Sequence, residues 1–93
     1  MIDKYDEKYL NPYRPFRVVF MGPTNHRGAR IQIRDLRNGV RVVLPYDYSV
    51  GDILTQGRNH LMDIGIIVTA AALADYEKGY ILLTQNFLTD LKK

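Results

Sequence analysis

The chain has no cysteine. It therefore forms no disulfide, carries no thiol nucleophile and offers no thiolate to a metal ion, and this composition fits a reducing cytoplasm. Histidine occurs only at His26 and His60, and no pair of imidazoles or cluster of carboxylates has the spacing of a metal site. We therefore expect neither a bound metal nor another cofactor.

Long apolar runs are also missing. The longest one, residues 64–74, is too short to cross a bilayer and is interrupted by Thr69. The first ten residues are charged and rich in tyrosine, without the apolar segment of a secretory signal. These features predict a soluble protein with no membrane partner.

Recognisable enzyme motifs are lacking as well. Residues 22–28 do not have the glycine spacing or the Lys-Ser/Thr pair of a phosphate-binding P-loop. Neither histidine lies next to a nucleophile in a glycine elbow, and Asp47 and Asp52 are better explained by helix capping than by acid–base chemistry. We predict that the protein is not an enzyme.

Acidic residues are scarce in one half of the chain, where lysine is absent and arginine is abundant. Between positions 14 and 41 there is one acid, Asp35, and there are seven arginines: Arg14, Arg17, Arg27, Arg30, Arg34, Arg37 and Arg41. Arginine suits bidentate contacts with phosphate or carboxylate groups, and it also suits the solvated face of a sheet. Charge alone leaves both interpretations open.

The pattern of apolar residues predicts one α+β domain over residues 16–93, preceded by an N-terminal arm over residues 1–15. Residues 16–21, 29–36 and 40–44 read as strands because apolar and polar residues alternate. A helix follows, with Ser49 as the predicted N-cap, and two further strands complete the order βββ-α-ββ. A single amphipathic helix on one face of a mostly antiparallel sheet makes a two-layer fold.

The dipeptide Asn38-Gly39 predicts a two-residue hairpin turn between the second and third strands. That turn would pair Asp35 with Val42 and Ile33 with Leu44. The same alternation predicts an apolar core face and an opposite, arginine-rich face. The residues of that second face are Arg17, Arg30, Arg34 and Arg41, together with Gln32.

Residues 22–30 form a polar loop between the first two strands and are a candidate anion site. Loop amides, the Thr24 hydroxyl, the Asn25 side chain and the Arg27 and Arg30 guanidiniums can each donate a hydrogen bond to a phosphate. Tyr46 could add a stacking ring for a base. The predicted ligand-binding residues are Thr24, Asn25, Arg27, Gly28, Arg30 and Tyr46. The alternative is that these residues only shape the loop and close one end of the core.

The segments GPTNHRGARIQI and LPYDYS resemble small uncharacterised proteins of bacteriophages and other mobile elements, which share a Gly-Pro-Thr-Asn-x-Arg-Gly-Ser-Arg loop. The resemblance covers roughly residues 16–65, and Ala29 stands where that loop has serine. It implies a phage accessory protein in the host cytoplasm. Counter-defence by sequestering a signalling nucleotide is then the expected activity.

Two other functions remain open from the sequence. The arginine face could bind nucleic acid, although its strands lack the exposed aromatic pair of base-stacking sheets. Alternatively, the same face could inhibit a host defence complex by protein–protein contact, because arginine is enriched at interface hot spots. A chain of 93 residues has a marginal core, so self-association into a homo-oligomer is a further possibility.

Overall fold

A computed structural model describes residues 13–74 and 79–91 of the chain. Its elements are β1 (Arg14–Met21), β2 (Arg30–Asp35), β3 (Arg41–Pro45), α1 (Ile53–Asp63), β4 (Val68–Ala74) and β5 (Gly79–Thr84). The predicted order βββ-α-ββ and the two-layer α+β class are confirmed. Most of the predicted arm lies outside the described residues, and β1 begins at Arg14, two residues earlier than expected.

The five strands form one sheet in the order β3-β2-β1-β5-β4, and each neighbouring pair is antiparallel. The chain thus builds one half of the sheet from β1 to β3, crosses it with the helix, and returns through a β4–β5 hairpin. Gly79 allows the start of β5 to approach β1 closely, because a Cβ there would come within 2.2 Å of the Val18 carbonyl oxygen.

The core lies between α1 and one face of the sheet. Its buried members are Phe16, Val18, Ile31, Ile33, Val42, Leu61, Ile66, Leu82 and Leu91. Gly57 in the middle of α1 faces Val18, whose Cγ2 would lie 2.5 Å from a Cβ at that position. The glycine therefore lets the helix backbone approach the sheet.

The ends of α1 follow from local hydrogen bonds. Asp52 is the N-cap, because its carboxylate accepts from the Leu54 amide at 3.0 Å. The prediction of Ser49 as the cap was wrong: its amide and hydroxyl both donate to Asp47, which lowers the pKa of that carboxyl below its ordinary value of 3.8. At the other end Gly65 has φ +92°, and the Ile66 amide donates to the Leu61 carbonyl in a Schellman arrangement.

The hairpin between β2 and β3 differs from the prediction. The loop has four residues, 36–39, and not the predicted two. Val42 pairs with Ile33, whereas the prediction paired it with Asp35. The carboxylate of Asp35 accepts from the Arg37 amide, and the Asn38 side chain accepts from the Val40 amide. These side-chain bonds favour a wider turn, closed by Gly39 at φ +79°. The pairing moves by two residues, so every side chain keeps its predicted face.

Candidate anion-binding face

Three arginines lie side by side on the face of the sheet that α1 does not cover. Arg17 of β1 pairs with Arg34 of β2, and Arg34 pairs with Arg41 of β3. Directly opposed residues of antiparallel strands have Cα atoms about 5 Å apart, so the row extends roughly 10 Å across three strands. The predicted common face of these residues is present, and the pairing places them closer together than the expected register did.

Arg30 extends this basic surface along β2. It lies four residues from Arg34, which corresponds to about 13 Å along a strand, and it pairs with Met21 on one side and Pro45 on the other. We call the surface formed by Arg17, Arg30, Arg34 and Arg41 the arginine face. None of the strand residues on this face of the described sheet is acidic.

The four arginines differ in exposure. Arg34 and Arg41 are exposed, whereas Arg17 and Arg30 are half-buried. Arg17 already takes part in an interaction of its own. Like charges directly opposite each other destabilise a sheet by about 0.2–1 kcal/mol per pair. A bound anion would offset that repulsion between Arg34 and Arg41.

The loop before β2 is shaped by Thr24. The Thr24 hydroxyl accepts from the amides of His26 at 3.4 Å and Arg27 at 3.1 Å, and the Thr24 amide donates to the Arg27 carbonyl. These bonds shape the loop and use the Thr24 hydroxyl as an acceptor, so its donation to a ligand stays a prediction. The φ angle of Gly28 is not positive, and a Cβ at this position would meet nothing within 4 Å. Neither backbone conformation nor space therefore requires glycine here.

A shallow depression of about 510 Å³ lies beside the loop. Its lining includes three of the predicted ligand-binding residues, Arg27, Gly28 and Arg30, together with Val43 and Pro45 of the edge strand. The Nε of Arg30 is buried and has no hydrogen-bond partner among the described residues. Thr24 and Asn25 are not part of this lining.

Tyr46 lies apart from the depression. Its ring packs edge-on against Phe20 at 5.4 Å and against Tyr48 at 4.8 Å between ring centroids. Phe20 continues the core-facing positions of β1, so this aromatic cluster closes one end of the layer between helix and sheet. Tyr46 therefore packs on the core side of the sheet, whereas Arg30 lies on the opposite side.

A separate polar cleft lies between α1 and the end of β3. Asp47, His60 and Asp63 contribute to its lining. The Gln56 side chain connects the two sides of the cleft, because it accepts from the Asp47 amide at 2.8 Å and donates to the Asp47 carbonyl at 3.0 Å. These bonds hold the segment after β3 against the helix.

Two arginines of the basic segment are structural, which the sequence pattern did not predict. Arg14 is completely buried and forms an ion pair with Asp35, which is also buried. Arg37 donates to the Phe87 carbonyl at 3.3 Å. One sequence feature does point to the first pair: Asp35 is the single acid of this segment and continues the core-facing alternation of Ile31 and Ile33.

Comparison of the chain with protein-family models, curated proteins and solved structures found no match. The similarity of the loop to phage proteins therefore stays a prediction. Over residues 13–74 and 79–91, no three histidine, cysteine or acidic residues are grouped so that they could hold a metal ion. In the same residues, no helix has the length and apolar character needed to cross a membrane.

Proposed function

We propose that the protein binds the phosphate backbone of a nucleic acid through the arginine face. The observation that carries this proposal is the pairing of Arg34 with Arg41 on the side of the sheet that the helix leaves uncovered. The Cα atoms of the four arginines span about 10 by 13 Å, so the face as a whole is wider than one phosphate group. The four arginines together suit a ligand that carries several phosphates.

The composition of the rest of this face supports binding to the backbone over base recognition. Gln32 and Val43 pair with each other in the row next to the arginines. The row of Arg17 continues through Ile81 of β5 to Ala72 of β4. No aromatic ring belongs to the strand residues of this face in the described sheet. We therefore expect affinity that depends strongly on salt and weakly on sequence.

The test is the salt dependence of binding to fluorescently labelled single- and double-stranded oligonucleotides, measured by anisotropy. Replacing both Arg34 and Arg41 with glutamine should reduce the slope of log K against log salt by about 0.7–0.9 for each phosphate that is no longer neutralised. Arg58→Gln is the matched control, because it removes the same type of charge from an exposed position on α1. Absence of binding, or a slope that the double variant leaves unchanged, would reject the proposal.

A protein partner would give a different result with the same variants. Capture of a defined host protein that survives nuclease treatment and is abolished by Arg34→Gln/Arg41→Gln would assign the face to protein binding. The counter-defence role and the host cytoplasmic location are proposals that rest on the loop resemblance alone.

The depression beside the loop supports a second candidate function, the binding of a single nucleotide. Arg27 and Arg30 both line it, and the buried Nε of Arg30 needs an acceptor. Calorimetry against linear and cyclic nucleotides tests this directly. A ligand at a hundredfold excess over its Kd should stabilise the fold by about 2.7 kcal/mol.

The arginine variants separate a binding role from a structural one. Arg27→Ala and Arg30→Ala should each abolish the nucleotide effect. Arg27→Ala should also leave the melting temperature of the unliganded protein nearly unchanged, because Arg27 is exposed and surface substitutions usually cost within about 0.5 kcal/mol. A melting temperature several degrees lower would instead identify the arginines as clamps of the loop. Absence of heat and of thermal shift with every nucleotide would reject this candidate.

A further inference from the structure

The two edges of the sheet are built very differently. The β3 edge is short, begins with the charged Arg41 and ends with Pro45, which has no amide hydrogen. Charges, prolines and short length are the features by which edge strands avoid pairing with other chains. The β4 edge, Val68–Ala74, has seven residues with the sequence VTAAALA and contains neither a charge nor a proline.

The β4 edge is also apolar and accessible. Leu73 is 64% exposed, and Ile67, just before the strand, is 68% exposed. The three alanines between them, residues 70–72, are exposed as well. A bulge interrupts the pairing with β5 at Thr69, so the regular part of the edge is Ala70–Ala74. No strand of residues 13–74 and 79–91 pairs with the outer side of β4, so this part presents the unpaired backbone groups of an edge strand beside small side chains.

We propose that β4 pairs antiparallel with β4 of a second copy of this chain, so that two sheets join into one. A two-fold axis through the regular part of the strand would bring alanines opposite alanines, or an alanine opposite Leu73. Such a pairing has no steric conflict and no like-charge contact within the strand. Like charges directly opposite each other on this edge would have opposed it.

The charge distribution favours a second copy at this edge and opposes one at the other. β1, the nearest strand of the arginine face, is separated from β4 by β5. In the joined sheet the two β1 strands would be five strand spacings apart, about 24 Å, which exceeds the Debye length of about 8 Å at physiological salt. Pairing through β3 would instead bring the two Arg41 rows together.

The joined sheet has a geometric consequence for its surfaces. A two-fold axis perpendicular to the sheet keeps both uncovered faces on the same side, so the two arginine faces would form one broad surface. The proposal does not depend on what that surface binds. It rests only on the β4 edge.

The oligomeric mass, measured by size-exclusion chromatography with light scattering, tests the pairing. We expect a mass of two chains for the wild type and of one chain for Ala72→Lys, which places two ammonium groups in the joint. Val43→Lys is the matched control, because Val43 is the exposed central residue of the β3 edge. It should keep the mass of two chains. A wild type with the mass of one chain would overturn the proposal.

Cysteine cross-linking gives an independent readout that does not rely on a destabilising charge. The chain contains no cysteine, so Ala71→Cys, Ala72→Cys and Val43→Cys each carry a single thiol. A residue beside the two-fold axis has its Cα within the distance range that a disulfide needs. We expect mild oxidation to link the chains at residue 71 or 72 and not at residue 43. A dimer that Ala72→Lys does not dissociate, or that cross-links at neither alanine, has its interface elsewhere and contradicts the pairing.

Discussion

Arg14 shows how one residue can join distant parts of this small domain. Its Nε donates to the Asp35 carboxylate at 3.2 Å, and its Nη1 donates to the carbonyls of Asn86 and Thr89. Its guanidinium also lies 4.8 Å from the centre of the Phe16 ring. The side chain thus ties β1 and β2 to the segment that follows β5. Because its partners satisfy several of its donors, the desolvation cost of burying the charge is largely offset.

The first prediction concerns this ion pair. Asp35→Asn keeps the shape of the side chain and leaves the Arg14 charge buried without a counter-charge, so we expect the free energy of unfolding to fall by about 3–5 kcal/mol. Asp90→Asn is the matched control, because its carboxylate lies 3.9 Å from the same guanidinium but is 81% exposed. It should cost at most about 1 kcal/mol. Urea denaturation measures both, and equal decreases in stability would show that burial does not set the strength of this pair.

At the scale of the elements, the helix and its packing were the most predictable part of the fold. The amphipathic pattern that predicts one helix on one face of the sheet is a local feature, and α1 packs against the core on that face. The N-cap was displaced from Ser49 to Asp52 because Asp47 and Gly51, with φ +75°, first close a separate turn. Competition between neighbouring capping side chains decides such a boundary, and the sequence pattern does not show which one prevails.

The second prediction tests the close approach of α1 to β1. Alanine at position 57 would gain about 1 kcal/mol of helix propensity, but its Cβ would overlap the fully buried Val18. Overpacking in a core typically costs about 1–3 kcal/mol, so Gly57→Ala should be destabilising on balance. Gly28→Ala, where a Cβ meets nothing within 4 Å, should be neutral or slightly stabilising. Thermal unfolding compares the two, and a more stable Gly57→Ala protein would contradict the packing at Val18.

The side of the sheet on which each site residue lies was predictable, but the residues that it contacts were not. Strand alternation alone assigns Arg30, Arg34 and Arg41 to one side, and the register change at the β2–β3 hairpin moves pairs by two residues and leaves sides unchanged. Whether a loop hydroxyl such as that of Thr24 faces a ligand or its own backbone depends on dihedral angles that the sequence pattern does not fix. The same holds for Tyr46, whose partner Phe20 is distant in sequence. Local periodicity carries no information about such tertiary packing.

At the scale of the whole molecule, the seven arginines of the basic segment divide into groups with different surroundings. Arg14 and Arg37 hold the segment after β5, and Arg27 belongs to the loop. The remaining four form the arginine face, which includes the like-charged pair Arg34 and Arg41. A sheet that brings two such charges opposite each other gives up stability in the unliganded state. Function is the usual reason for such a local conflict to persist.

The third prediction follows from this conflict. Arg34→Gln removes the repulsion with Arg41, so the unliganded protein should become more stable by about 0.2–1 kcal/mol. Added salt screens exposed charges, and the difference between wild type and variant should therefore shrink at high ionic strength. The same substitution should weaken oligonucleotide binding about four- to six-fold at physiological salt, as expected when one phosphate is no longer neutralised. Arg58→Gln, which removes an equal charge from the helix, should change neither quantity by a comparable amount.

Chemical denaturation and anisotropy titration, each at low and high salt, give the two readouts. Higher stability together with lower affinity identifies Arg34 as a binding residue whose charge destabilises the unliganded fold. A decrease in both quantities would show instead that Arg34 stabilises the hairpin, and it would contradict the prediction.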